Sequence, residues 1–208
     1  MIAIITIWTI EIARYSIEEQ KGWNVIGGIL SPVSCHYGKP GLLSEEHRLQ
    51  MCRAATSTSD WIDVDSWESE QSSYKRTAET LESVKARLSK QLQTNNFSLC
   101  FLMSMDCLES MTKPGVWDLT LFPRLFQHEL IVCGRDGMDQ TIVNHENLVK
   151  YKDKILFAGL EPRNDISSTF IRQLLSEHKS IDYLTHPMVV SYIKDHRLYT
   201  SSDGETQQ

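Results

Sequence analysis

What the chain lacks excludes several classes of protein. No apolar run reaches the roughly 18 residues that a membrane-spanning helix needs, so no membrane partner is expected. The five cysteines form no C-x-x-C pair, and their odd number does not suit the disulfide framework of a secreted domain. A net charge of −6 argues against a general nucleic-acid binder, which usually has a basic face or a basic total. The composition therefore predicts a soluble, intracellular protein with no nucleic-acid partner.

Targeting and low-complexity segments are also scarce. The first ten residues, MIAIITIWTI, lack a basic n-region and run straight into Glu11, Arg14 and Glu18, so a cleaved signal peptide is not favoured. No internal repeat is present, and the polar end SSDGETQQ is the one biased tract. We expect a single domain over residues 1–200 and a disordered tail over 201–208.

Short apolar runs of strand length alternate with helical patterns along the 208 residues. Strands are predicted over 23–30, 61–65, 98–105, 129–135 and 154–160. Helices are predicted after an N-cap at Ser44, over 69–93, after Ser167 and Ser168, and over 186–199. This alternation favours a Rossmann-like α/β fold, a mostly parallel sheet with helices on both faces. Ligands of such sheets bind at the carboxyl ends of the strands.

The loop after the first predicted strand, SPVSCHYGKPGLL, places Lys39 between Gly38 and Pro40. A lysine on a glycine-bearing loop at a strand end can reach a phosphate as a point charge. The alternative interpretation is a solvated surface lysine.

Aromatic residues supply candidates for stacking on a flat base. Tyr74 and Thr77 lie three residues apart and would share one face of the helix predicted over 69–93. The rings of Tyr74 and Trp67 could equally belong to the core, and Trp67 fits a core position better. Trp117 follows Pro114 and Gly115 on a predicted loop, where an aromatic side chain is more often functional than in a helix stripe.

Two helix starts offer polar groups. Asp106 follows a predicted buried strand and opens a helix, where a carboxylate accepts ribose hydroxyls or simply occupies a helix start. In NDISSTFIR, hydroxyls and amides at a helix N-terminus are followed one turn later by Arg172, the pattern of a phosphate site. The alternative there is a plain serine cap and a surface arginine.

Four segments together resemble the eukaryotic nicotinamide/nicotinate mononucleotide adenylyltransferases, which have a Rossmann-like nucleotidyltransferase fold. They are GGILSPVSCHYGKPGLLSEEHRLQMC, WIDVDSWESEQSSYKRT, ESMTKPGVW and NDISSTFIR, in register from about Glu11 to Tyr199. The family makes NAD or deamido-NAD from ATP and the pyridine mononucleotide, releases pyrophosphate, and uses a divalent metal, usually Mg²⁺. The resemblance implies no metal ligands from the protein itself.

The resemblance also implies roles for residues. Mononucleotide contacts would come from Tyr37, Lys39, Tyr74, Thr77, Val116 and Trp117, with Lys39 at the phosphate and Tyr74 and Trp117 flanking the pyridine ring. ATP contacts would come from Ser104, Asp106, Asn164, Ser167, Ser168, Thr169 and Arg172, with Asp106 on the ribose and Arg172 on the phosphates. Tyr74 stands where the family often has tryptophan, and Ser104 where it usually has glycine.

The start of the chain departs from the family pattern. In register, the family's catalytic histidine falls on Thr6, so no catalytic residue is assigned, and the first strand with its glycine-rich phosphate turn is expected to be missing. We expect this polypeptide to be weakly active or inactive, since losing one preorganised donor costs about 10² to 10³ in rate. The alternative function is a non-catalytic homologue that binds nucleotide or a partner protein.

Relatives occur in the nucleus, cytoplasm and mitochondrion, and some form homo-oligomers. The compartment and the assembly of this chain therefore stay open, as does the choice between amide and acid mononucleotide.

Overall fold

The structure of the protein is a computed structural model that describes residues 6–38, 41–134, 139–159 and 166–199. The chain divides into two compact units. The described parts of 1–9, 25–74 and 165–208 form the first unit, and those of 10–24 and 75–164 form the second. The predicted tail over 201–208 lies outside the described residues.

The first unit contains a short parallel sheet and three helices. Strands β1 (Gly28–Leu30) and β2 (Ile62–Val64) pair in parallel, with Gly28 opposite Ile62. The helices are α2 (Glu45–Thr56), α6 (Ser168–Ser176) and α7 (Pro187–Asp195). Helix α2 packs against β2 and α7. Apolar side chains of all three helices are buried, among them Met51, Ile171 and Val189, each 0% exposed.

The second unit contains a three-stranded parallel sheet in the order β3-β4-β5. The strands are β3 (Cys100–Ser104), β4 (Glu129–Cys133) and β5 (Ile155–Ala158). Helices α1 (Thr6–Lys21, in this unit from Ile10 on), α3 (Thr77–Leu92), α4 (Met105–Ser110) and α5 (Phe122–Leu125) accompany them. All five residues of β4, the central strand, are buried, as is usual in parallel sheets that are covered on both faces. The apolar core gathers around Leu130, Val132 and Leu108.

A buried carboxylate ties the second unit together at the start of β4. The two oxygens of Glu129 accept from the Lys154 ammonium at 2.9 Å and from the Lys21 ammonium at 3.4 Å. Lys21 is the last residue of α1, so this ion pair fastens the end of that helix to the sheet.

The predicted parallel α/β fold is confirmed, and each predicted strand occurs in a shorter form. The N-caps at Ser44 and Ser167 are also confirmed, since their hydroxyls accept from the amides of His47 and Phe170. The helix predicted over 186–199 ends at Asp195, beyond which Arg197 and Tyr199 take positive φ angles. Residues with positive φ cannot continue a right-handed helix.

The helix predicted over 69–93 is wrong in its first two turns, since α3 begins at Thr77. The Glu79 carboxylate accepts from the backbone amide of Arg76 at 2.8 Å, which closes the helix start there. Upstream, the Ser69 hydroxyl donates to the Ser66 carbonyl and thereby competes with helical bonding. Tyr74 therefore precedes the helix, and the prediction that it shares a helical face with Thr77 is incorrect.

Helix α1 was not marked by the apolar pattern, because an apolar run fills its start. Its residues Ile10, Ala13 and Ile17 recur at helical spacing and are buried.

Among the described residues, no helix is both long and apolar enough to cross a membrane.

Candidate nucleotide site

The loop that follows β1 is built around a buried serine. Ser34, 0% exposed, accepts from the His36 amide and caps a 3₁₀ turn over Cys35–Tyr37. Gly38 ends that turn at φ 67°, a left-handed conformation that favours glycine. The turn leaves the Tyr37 ring 50% exposed. Lys39, the predicted phosphate lysine, lies outside the described residues.

The structure brings together two residues predicted to bind the mononucleotide. The ring centroids of Tyr37 and Tyr74 lie 5.6 Å apart at an interplanar angle of 33°. Both rings keep exposed surface, 50% for Tyr37 and 37% for Tyr74. Because Tyr74 lies in the segment before α3, the pair joins two loops of the first unit. Partly exposed aromatic rings can stack on a flat heterocycle.

An acid outside the predicted set supports these loops. The Ser31 hydroxyl donates to Oε2 of Glu68 at 3.0 Å, which links the end of β1 to the segment that leads to Tyr74. Burial raises the pKa of Glu68, and the bond from Ser31 acts in the opposite direction. The sequence signal that could have identified this pair is a serine after one strand and an acid after the next. The ends of parallel strands lie at the same edge of a sheet, so the two side chains can meet there.

Trp117 is anchored within the second unit. Its indole Nε1 donates to the Ser110 hydroxyl at 2.8 Å, and its ring meets Phe122 edge to face, with centroids 6.4 Å apart. The side chain is half-buried, while the neighbouring Val116 is 51% exposed. Trp117 is thus both a core contact and a partly open ring, on the loop where it was predicted. Thr77, half-buried, is the first residue of α3 in the same unit.

The carboxyl end of β3 carries the predicted ribose residues. Ser104 is the N-cap of α4 and its hydroxyl accepts from the Cys107 amide at 3.3 Å. Asp106 follows in the first turn and is exposed, as predicted for a carboxylate that opens a helix after a strand. Burial raises the pKa of the Cys107 thiol to about 11, so it does not supply a nucleophile beside Asp106.

The N-terminus of α6 presents the predicted phosphate residues. Ser167 caps the helix by accepting from the Phe170 amide at 3.0 Å, and Ser168 is the first helical residue. Nη2 of Arg172 donates to the Thr169 hydroxyl at 3.1 Å, which holds the guanidinium against the first turn. Amides, hydroxyls and a cation meet there at the positive end of a helix. Asn164 lies outside the described residues.

Comparison with known proteins identifies the family. The cytidylyltransferase-like family model matches residues 7–174. The nicotinamide/nicotinic acid mononucleotide adenylyltransferase of Arabidopsis thaliana is 37% identical over 195 residues, covering 91% of this chain and 82% of the relative. The chain belongs to this family. The enzyme of the same name from Oryza sativa is 34% identical over 199 residues, covering 93% of this chain and 80% of the relative. Enzyme 1 of that name from Saccharomyces cerevisiae is 34% identical over 210 residues, covering 95% of this chain and 52% of the relative.

Membership of the adenylyltransferase family confirms the resemblance found in the four sequence segments. It also agrees with the parallel sheets seen in both units, since nucleotidyltransferases of this kind have a Rossmann-like fold. The roles of individual side chains are a separate matter, and the structure contributes their local geometry.

A metal site made by the protein itself needs several donor side chains close together. Within the part of the chain that the structure describes, no group of three His, Cys, Asp or Glu side chains could hold a metal ion. The five cysteines are all free thiols.

Proposed function

We propose that this chain transfers the adenylyl group of ATP to nicotinamide or nicotinate mononucleotide. The products are NAD or deamido-NAD and pyrophosphate, so the reaction belongs to NAD biosynthesis. The observation that carries the proposal is the 37% identity to the Arabidopsis thaliana adenylyltransferase along 91% of the chain. An alignment of that extent includes all four segments that hold the candidate residues.

The reaction requires positioning more than covalent chemistry. An oxygen of the mononucleotide phosphate attacks the α-phosphorus of ATP, the bond from that phosphorus to the bridging oxygen breaks, and pyrophosphate leaves. No intermediate is formed on the enzyme, so its contribution is to align the two phosphates and to neutralise their charge. The candidate residues are of the types that this work needs.

For the mononucleotide, we propose aromatic and polar contacts from Tyr37, Lys39, Tyr74, Thr77, Val116 and Trp117. The exposed pair of tyrosines, Tyr37 and Tyr74, supports a stacking role. Trp117 is fixed in orientation by its bond to Ser110. A ring held in place loses less entropy when it stacks on a ligand.

For ATP, we propose contacts from residues after β3, from Asn164 and from the start of α6. Asp106 and Ser104 follow β3 and serve the adenosine, with Asp106 on the ribose hydroxyls. Asn164 and the start of α6, from Ser167 to Arg172, serve the phosphates. The helix N-terminus favours an anion there even before the guanidinium of Arg172 is counted.

Adenylyltransferases of this family are ATP-using and generally depend on a divalent metal. We propose Mg²⁺, bound to the phosphates of ATP and entering with it as part of the substrate. The metal supplies charge neutralisation on those phosphates. Residues of this chain would orient the metal–nucleotide complex through its phosphate oxygens, chiefly with Arg172 and the amides at the start of α6.

Titration calorimetry with each mononucleotide tests the proposed site. We expect Trp117→Ala to weaken binding by about 1–3 kcal/mol, the range for loss of one aromatic stacking partner. Trp117→Phe should retain most of the affinity, because a phenyl ring preserves both the stack and the contact with Phe122. Trp23→Ala is the matched control: Trp23 is 37% exposed and lies in the same unit, outside the candidate site. Equal affinity of Trp117→Ala and wild type would refute the pyridine site.

Turnover is tested separately, by following NAD formation from ATP and nicotinamide mononucleotide. Thr6 stands in register with the family's catalytic histidine, so we expect binding of both substrates with slow turnover. Turnover close to that of a relative with the histidine would contradict the expectation of slow turnover. Binding without any turnover would favour the non-catalytic homologue.

A further inference from the structure

Arg48 is a buried cation beside the loop that carries Tyr37. It lies in the first turn of α2, and its side chain is 1% exposed. Burial lowers the pKa of its guanidinium, and the nearby Glu45 opposes that effect. An arginine stays protonated even so, because its pKa starts above 12. A full charge is therefore held inside the first unit.

Two nitrogens of this guanidinium donate hydrogen bonds to the backbone at the two ends of one loop. Nε donates to the Leu43 carbonyl at 3.0 Å, and Nη1 donates to the Val33 carbonyl. Val33 precedes the loop over residues 34–42, and Leu43 follows it. Since the guanidinium is planar and its donors are fixed relative to each other, the two bonds set the separation of the loop ends.

The loop between those carbonyls holds the proposed mononucleotide residues Tyr37 and Lys39. We propose that Arg48 is a positioning residue for the mononucleotide, which clamps the loop ends so that Tyr37 is presented in one arrangement. This inference rests on the proposed function of that loop. Arg48 itself acts through the backbone at Val33 and Leu43 and touches no substrate.

Fold stability alone explains Arg48 poorly. Its third arm, Nη2, is buried and has no hydrogen-bond partner among the described residues. A buried donor without a partner destabilises the fold, and apolar residues often replace buried charges without loss of stability. A side chain retained only for packing would more simply be apolar. Donation to two carbonyls ten positions apart is what an apolar residue cannot supply.

The test compares Arg48→Lys and Arg48→Met with Arg53→Lys and Arg53→Met. Arg53 lies on the same helix and is exposed, so its variants control for charge and helix propensity. Lysine keeps the charge but offers one nitrogen, and methionine keeps the bulk without donors. Calorimetry gives the Kd of nicotinamide mononucleotide and of ATP, and hydrogen exchange compares loop amides 36–38 and 41–44 with amides of α3.

For both Arg48 variants we expect the mononucleotide Kd to rise about tenfold or more, the scale expected when contact groups lose alignment. We expect the ATP Kd to stay within about twofold, the loop amides to exchange faster, and the amides of α3 to be unaffected, because the change is local to the loop. The Arg53 variants should match wild type in every measurement.

Two results would overturn the inference in distinguishable ways. In the first, wild type binds mononucleotide and the Arg48 variants bind it equally well. Alternatively, the variants show a lower binding stoichiometry for both ligands while each Kd is unchanged. Either outcome would leave Arg48 with only a general structural role. If wild type does not bind mononucleotide at all, the proposed function of the loop falls together with the clamp.

Discussion

Tyr37 and Tyr74 come from segments 37 residues apart in the chain, yet their ring centroids lie 5.6 Å from each other. One ring follows β1 and the other follows β2, the two strands that pair in parallel. The carboxyl ends of parallel neighbours lie at the same edge, which explains why the loops meet. The contact places two rings of the candidate site side by side at the ligand-binding edge typical of this fold.

Substitutions at Tyr74 test whether its ring stacks on the pyridine. Because relatives often have tryptophan here, we expect Tyr74→Trp to bind mononucleotide at least as well as wild type. Tyr74→Ala should lose about 1–3 kcal/mol of binding free energy through the missing stack. Calorimetry measures both, with Tyr183→Ala as the control because Tyr183 is 99% exposed in the same unit. Retained affinity in Tyr74→Ala would assign this ring to packing instead.

Ser110→Ala tests how far the orientation of Trp117 matters. The variant leaves the indole N–H without its serine partner, and water can replace that partner because the tryptophan is half-buried. We therefore expect a modest loss of stability, about 1 kcal/mol in urea unfolding, together with a weaker affinity for mononucleotide. Ser57→Ala is the control, since its exposed hydroxyl donates only to the Ala54 carbonyl of its own helix. A stability loss without any change in Kd would separate the anchor from ligand binding.

Local patterns predicted the strands because each is a short apolar run, and they predicted the N-caps because a capping serine acts within one turn. Helix α3 was extended too far for a related reason. Apolar spacing continued upstream to Tyr74, whereas the side chain of Glu79 and the upstream serine bonds decide where the helix starts. Those competing bonds carry no apolar periodicity.

The candidate residues were predicted from the sequence, whereas the residues that support them were not. Trp117 was marked by its residue type and its position on a loop, whereas Tyr37 was marked by the family resemblance. The supports Ser110, Glu68 and Arg48 depend on which groups the fold brings near them. Arg48 in particular looks like any helix residue in EEHRLQMC, because its partners are backbone carbonyls, and every residue has one.

Ser167 allows capping and phosphate binding to be separated. Ser167→Ala removes the cap of α6, so we expect a loss of about 0.5–2 kcal/mol in unfolding free energy. Asparagine and aspartate both restore a cap, but aspartate places a negative charge where ATP phosphates are proposed to bind. We therefore expect Ser167→Asn to recover stability and most ATP affinity, and Ser167→Asp to recover stability alone.

Urea unfolding and calorimetry with ATP measure the two properties for this series. Ser176→Ala is the matched control on the same helix, since its exposed hydroxyl donates only to the Gln173 carbonyl. Equal ATP affinity in the asparagine and aspartate variants would argue against phosphate binding at the start of α6.

His128 predicts a pH dependence of stability in the second unit. The side chain is 3% exposed, just before β4, and burial lowers its pKa below the ordinary 6.5, with Lys85 acting in the same direction and Glu82 against it. Between the lowered pKa and 6.5 the unfolded chain binds more protons than the folded one. This contribution to stability is therefore complete above pH 6.5 and declines as the pH falls below that value. The decline is at most about 1.4 kcal/mol per pH unit for one group.

Urea unfolding at pH 7.5 and pH 5.5 measures this dependence, and the difference between the two free energies is the quantity to compare. His128→Asn and His128→Gln should lower stability at both pH values, because each leaves the buried position imperfectly filled, but they should shrink the difference. The control His178→Asn changes an exposed histidine at a positive φ angle of 55°, which asparagine tolerates, and should leave the difference as in wild type. If the His128 variants keep the full wild-type difference, the acid sensitivity arises from other groups and the imidazole of His128 is not the one that takes up the proton.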